Sequence, residues 1–282
     1  MLAQFLQFLL SGMTVGSAYA LAALGFTIIY NTSGVINFAQ GEFIMLGGMF
    51  AALMSAGGVP LPLAVILAVL ITGVVGVAME KVVIEPARDA QVVTLIIITI
   101  GASLTIRGLV QIFLGKDTHT LPPFSGDAPI QILGASLLPQ SLWVLGVTLL
   151  VVGALAWFFG RTLLGKAMLA TSNNRLAAQL VGIDTRNVLM LSFGLAALLG
   201  AVGGILVAPI TYTSYDAGIM LGLKGFVAAV LGGLGGGVGA VVGGLILGIA
   251  ESMTAGYISS SYKDAVPFVL ILLILFFMPR GL

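Results

Sequence analysis

Glu42 is the only charged side chain in the first seventy-nine residues. A segment with so little charge cannot form a water-facing surface, and the rest of the chain follows the same pattern. Of 282 residues, 59% are hydrophobic and 7% charged, with a mean hydropathy of +1.18. A soluble domain carries about 25% charged residues. The chain therefore reads as an integral membrane protein. Its apolar runs continue for about twenty residues or more without alternating, which favours helices over a barrel. The 39 glycines suit close helix contacts. The fold class is an all-α, polytopic helical bundle. A net charge of +1, without blocks of like charge, argues against a nucleic-acid partner. Without cysteine there is no disulfide, thiolate metal site or thiol nucleophile. Ala18-Tyr19-Ala20 has the look of a signal-peptide cleavage site. No basic residue precedes it, however, and the apolar run continues to Tyr30, so this segment is read as a first membrane helix.

Spans are expected near Leu6–Tyr30, Val35–Ala56, Leu61–Glu80, Val92–Leu114, Leu137–Phe159 and Val188–Tyr212. A glycine-rich segment, Leu223–Thr254, and a last span, Ala265–Met278, follow. That makes about eight spans, including a broken hairpin, in one membrane domain over residues 1–282. Basic residues in short loops set orientation. Arg161, Lys166, Arg175 and Arg186 place the loop 160–187 in the cytoplasm, with Lys81, Arg88 and Arg280 on the same side. The N-terminus and the loop Gly115–Ser136 are then external, and Leu282 is cytoplasmic. On this count Leu223–Thr254 enters and leaves on one side. It is too short for two full spans of about 20 residues, so a glycine turn at depth is expected near Gly232–Gly237.

Gly232–Gly239 is no phosphate loop, because it lacks the Gly-Lys-Ser/Thr ending. His119, the single histidine, lies beside Asp117 with no second ligand nearby and reads as a surface residue. No metal site and no paired catalytic set stand out. The loop 160–187 says more. Ser172-Asn173-Asn174 offers helix caps, Leu176, Leu180 and Ile183 recur at helical spacing with Ala177 beside them, and Gly182 can end the helix. Arg175 and Gln179 flank that face. One basic residue and no aromatic side chain suit a membrane surface poorly, so a protein groove is the better partner.

The segment from Val35 to Phe50 places Asn37, Gln40 and Glu42 around Gly41 in an apolar run. Counted as helix from Val35, Glu42 lies roughly 10 Å deep at 1.5 Å per residue, a third of the ~30 Å hydrocarbon core. A carboxylate there faces protein or water. Gly41, Gly47 and Gly48 favour a broken helix. Arg107 is a candidate partner, though its position in the fourth run places it nearer the outer side.

Three stretches, NTSGVINFAQGEFIMLGG, GKAMLATSNNRLAAQLVGID and LKGFVAAVLGGLGGGVGAVVGGLILGIAE, resemble permease subunits of bacterial ATP-binding-cassette importers. The chain is most similar to the branched-chain amino-acid (leucine/isoleucine/valine) permeases; urea and short-chain amide permeases share the same stretches. The resemblance implies an inner-membrane complex of two related permeases, two ATPase subunits and a periplasmic substrate-binding protein, with ATP bound by the partner subunits and no cofactor in this chain. It implies ATPase docking through Ser172, Arg175, Leu176, Ala177, Gln179, Leu180 and Gly182, and a substrate pathway beside Asn37, Gln40, Gly41 and Glu42. The rival classes are an intramembrane enzyme using Glu42 as acid or base, which lacks a second catalytic group, and a passive channel, which would need no docking helix.

Overall fold

Helix α1, Leu2–Ser33, is buried on every side from Gly16 to Ile29 in the computed structural model, which describes residues 2–132, 134–278 and 281. A helix apolar around its whole circumference has no face to present to water, so it becomes the centre on which others pack. Helices α2 (Gln40–Ala56) and α5 (Pro139–Arg161) touch it, while α3 (Leu61–Met79) and α4 (Val92–Phe113) pack on α2. After the short helices α6 (Leu163–Asn173) and α7 (Arg175–Leu180) come α8 (Thr185–Thr211), α9 (Ala217–Leu231), α10 (Gly237–Tyr257) and α11 (Val266–Phe277). Seven helical segments among the described residues are long and apolar enough to cross a membrane. The expected polytopic α-bundle is therefore found. Arg280 and Leu282, which the orientation argument used, lie outside the described residues.

Two sets of four helices recur in opposite directions. In the first, long α1 leads into short α2, then α3 and α4; in the second, long α8 leads into short α9, then α10 and α11. Helix α3 packs on α8 as α10 packs on α1, and α2 packs on α8 as α9 packs on α1. The start of α8 lies beside the end of α1, around a crevice lined by Ile29, Ser33 and Leu189, so the two halves are inverted. Small residues make these contacts close. A Cβ on Gly12, Gly16, Gly244 or Gly248 would strike the facing backbone across the α1–α10 pair, and one on Gly76 would strike Phe193 and Ala197 across α3–α8. Close backbone approach of this kind supplies van der Waals packing where lipid removes the hydrophobic driving force.

The glycine-rich segment differs from expectation. Helix α9 already starts at Ala217 and has 15 residues, and α10 continues to Tyr257 with 21. At 1.5 Å per residue these are roughly 22 and 32 Å long. The turn between them therefore reaches the level of the last turn of α1, where Asn31 Nδ2 donates to the Gly235 carbonyl at 2.9 Å. The segment is longer than its glycine-rich run because α9 begins at Ala217, ahead of Leu223.

On the opposite face, the loop after α4 holds a two-stranded antiparallel hairpin, β1 (Ile130–Ile132) and β2 (Ala135–Leu137). Gln7 near the start of α1 ties this hairpin down. Its Nε2 donates to the Ser136 carbonyl at 2.8 Å, and the Ser136 N–H donates back to its Oε1 at 2.6 Å.

Candidate functional site

The helix expected from Val35 begins later, at Gln40. Gly34 turns the chain with φ 71°, and residues 35–39 form a link that enters the bundle without helical hydrogen bonds. Side chains satisfy it instead. The Val35 N–H donates to Ser33 Oγ, the Ala39 N–H to Asn37 Oδ1, and the Phe38 N–H to Thr99 Oγ1. Irregular backbone at such depth persists only when protein surrounds it, and Asn37, Gln40 and Glu42 are all buried. Gln40 Nε2 donates to the Ala196 carbonyl of α8 at 2.9 Å. Gly41 meets Gly218 and Gly222 of α9 so closely that a Cβ on any of the three would hit opposing backbone. The first turns of the two short helices thus overlap inside the molecule.

Glu42 accepts hydrogen bonds from Ser103 Oγ at 2.8 Å and from Arg107 Nη2 at 2.5 Å, both on α4. The depth estimate had counted against this pairing. Two features overturn it: residues 35–39 are not helix, so a helical rise does not measure their depth, and a helical side chain leans toward its own N-terminus, which brings the Arg107 guanidinium back toward Glu42. The Glu42 side chain is 2% exposed. Asn37 Nδ2, Gln40 Oε1, Glu42 Oε2 and Arg107 Nε, all buried, have no hydrogen-bond partner among the described residues.

A second ionised group, absent from the sequence-derived candidates, lies in the other half. Lys224 of α9 donates to Glu251 Oε1 of α10 at 2.5 Å and to Asp264 Oδ1, just before α11, at 2.7 Å. Tyr19 of α1 donates through its hydroxyl to Glu251 Oε2 at 2.8 Å. Tyr19, Lys224 and Glu251 line a cavity of about 500 Å³ between α1, the end of α8, α9 and α10. Its rim carries Thr118, Thr213, Ser214 and Lys263, on the face that holds the start of α1. Backbone hydrogen bonds in both directions between His119 and Thr213 fasten this rim to the loop after α4. The sequence did hold a signal, since Lys224 and Glu251 are ionisable residues in an apolar run.

The helix expected over Ser172–Ile183 is shorter. Ser172 and Asn173 complete α6, and Asn174 caps α7, accepting from the Ala177 N–H at 3.0 Å. Gly182 ends it with φ 87°. Ala178 faces the protein, and Ala177 is exposed with Leu176 and Leu180. Leu176 and Leu180 are 74% and 88% exposed, and Gln179 Nε2 donates to Thr185 Oγ1 at 2.9 Å, fixing α7 to the start of α8. Arg88, Arg175 and Arg186 surround it. Among the described residues no three His, Cys, Asp or Glu side chains are grouped to hold a metal ion.

A family model for "Branched-chain amino acid transport system / permease component" matches residues 8–275. The chain is 36% identical to the high-affinity branched-chain amino acid transport system permease protein LivH of Escherichia coli (strain K12), covering 99% of this chain and 95% of that protein. To the corresponding permease protein BraD of Pseudomonas aeruginosa it is 34% identical, again over 99% and 95%. A chain of PsaBC from Streptococcus pneumoniae, solved in complex with Fab, matches with a TM-score of 0.57 at 15% identity, over 99% of this chain and 97% of that one; this is a likeness of fold.

Proposed function

The chain belongs to the family of branched-chain amino acid transport permease components, and from that premise we propose that it carries leucine, isoleucine or valine across the bacterial inner membrane, driven by ATP hydrolysis in partner subunits. It is a transport permease of a multi-component system, and not an enzyme. The partners we assign are a second related permease, two ATP-binding-cassette ATPases and a periplasmic substrate-binding protein. The N-terminus faces outward, and the loop 160–187 and the C-terminus face the cytoplasm.

The observation that carries the ATPase contact is the exposed apolar pair Leu176 and Leu180 on a helix braced against α8. Arg175, Ala177, Gln179 and Gly182 border that pair, and Ser172 supports it from the end of α6. A short helix between α6 and α8 would pass ATPase movement to the centre of the bundle. Asn37, Gln40, Gly41 and Glu42 serve the substrate pathway as the fixed head of the broken helix α2. Their unpartnered polar atoms support contact with water or solute when that head is uncovered.

The test is uptake into proteoliposomes holding all subunits, with leucine, isoleucine, valine, alanine and urea compared. ATP-dependent uptake of the three branched amino acids, and none of urea, is expected. Urea uptake that persists without ATP would overturn the reading.

A further inference from the structure

Lys224 and Glu251 set an ammonium against a carboxylate at the bottom of the 500 Å³ cavity, and the half-exposed Asp264 bonds the same ammonium. Tyr19, which shares Glu251, stands near the middle of α1, roughly 25 Å from its first residue at 1.5 Å per residue. The cavity therefore runs from the face holding the N-terminus to about half the depth of the bundle. The Lys224 and Glu251 side chains are 8% and 9% exposed. Charges held at such depth are costly and mark ion or solute routes. The volume falls within the range of small-molecule sites, about 300–1,000 Å³.

We infer that this floor binds a free amino acid with a branched aliphatic side chain, through both of its charges. The inference rests on the transport reading above and assigns its outward-facing site. The triad carries one formal negative charge; a zwitterion leaves that total unchanged, its α-ammonium bonding Asp264 and Glu251. Among the described residues Lys224 uses two of the three donors of its ammonium group, so the third can take the α-carboxylate. The bound arrangement alternates in sign, and each charge has an opposite neighbour. Val15, Ala18, Val207, Leu221 and Ala255 supply an apolar wall for the side chain.

The rim is also built under strain. Tyr212 lines the cavity with φ 63° and ψ 170°, a region that otherwise suits glycine. Such conformations persist where the surrounding structure enforces them, here between the end of α8 and the His119–Thr213 pairing.

The chain lacks cysteine, so one introduced thiol reports on the cavity. In the purified full transporter, Ser252→Cys places a thiol beside Glu251, and Ser125→Cys provides a control in the loop after α4. The rate of modification by a small methanethiosulfonate reagent is measured with leucine, 4-methylpentanoate (no ammonium) or 3-methylbutylamine (no carboxylate). Leucine is expected to slow reaction at Ser252→Cys about tenfold and to leave Ser125→Cys unchanged, while each one-charge analogue protects about tenfold more weakly. Lys224→Met should cancel the advantage of leucine over the amine. If Ser252→Cys does not assemble, Ala255→Cys takes its place. Unprotected thiols in a complex that still takes up leucine would overturn the inference. Equal protection by the amine would overturn it too, marking a simple cation site. A wild-type complex that assembles but takes up no leucine would overturn the transport reading instead.

Discussion

Glu42 and Arg107 are 65 positions apart in the chain and 2.5 Å apart in the fold. Their pairing joins the head of α2 to α4 at a place where neither charge has bulk water to turn to. Removing one partner leaves the other buried, at a typical cost of about 3–5 kcal/mol. Glu42→Gln is therefore expected to lower the melting midpoint of the detergent-solubilised permease and to reduce uptake while assembly persists. Adding Arg107→Met should recover part of the lost stability, because no uncompensated charge remains. Full uptake and an unchanged melt in Glu42→Gln would reduce the pair to a packing contact.

The glycine turn gives a contrast within a few residues. A Cβ on Gly232 would collide with the Gly239 carbonyl, whereas one on Gly237 meets nothing nearer than Leu24 Cδ2 at 3.9 Å. Gly232→Ala is expected to cut the yield of folded protein several-fold, and Gly237→Ala to leave it near wild type. Size-exclusion profiles of the two variants decide the matter, and equal profiles would mean a loosely packed turn.

Leu180→Asp puts a charge on the exposed apolar face of α7 without touching the packed Ala178. The permease should still insert and fold. Stimulation of ATP hydrolysis by loaded binding protein should be lost, and uptake with it, both read in the same proteoliposomes. Survival of both activities would remove α7 as the ATPase contact.

Orientation can be read with single cysteines at exposed positions. An impermeant thiol reagent on intact cells should label Ser125→Cys, in the loop between α4 and β1, and spare Asn173→Cys, at the end of α6. The reverse pattern would invert the whole topology.

Much of this architecture was legible because long apolar runs have few alternatives in lipid. The uninterrupted run that becomes α1 was visible with its end set only three residues short, at Tyr30 against Ser33. The start of α2 was not, since nothing in the residues 35–39 forbids a helix; the break combines a local bond from the Ala39 N–H to Asn37 with a bond to Thr99 of α4 that only the fold supplies. Three successive capping residues, Ser172 to Asn174, could not tell which of them ends α6 and which opens α7. Lys224 and Glu251 stood in plain view inside the third motif. Their pairing across 27 positions needs the α9–α10 turn, which residue spacing alone does not supply.

The inverted repetition of α1–α4 in α8–α11 has a bearing on how access could alternate. Each half ties its short helix to a charge on or just before its fourth helix: Glu42 to Arg107 in one, Lys224 to Asp264 in the other. In this structure Lys224 lines an open cavity while the Glu42 carboxylate is buried. If each half adopted the shape its counterpart has here, the accessible chamber would open to the opposite face, with Glu42 and Arg107 at its floor. One fold would then hold the instructions for both ends of a transport cycle, and the passage between them would be a trade of conformations in which neither half needs a shape the other has not already taken.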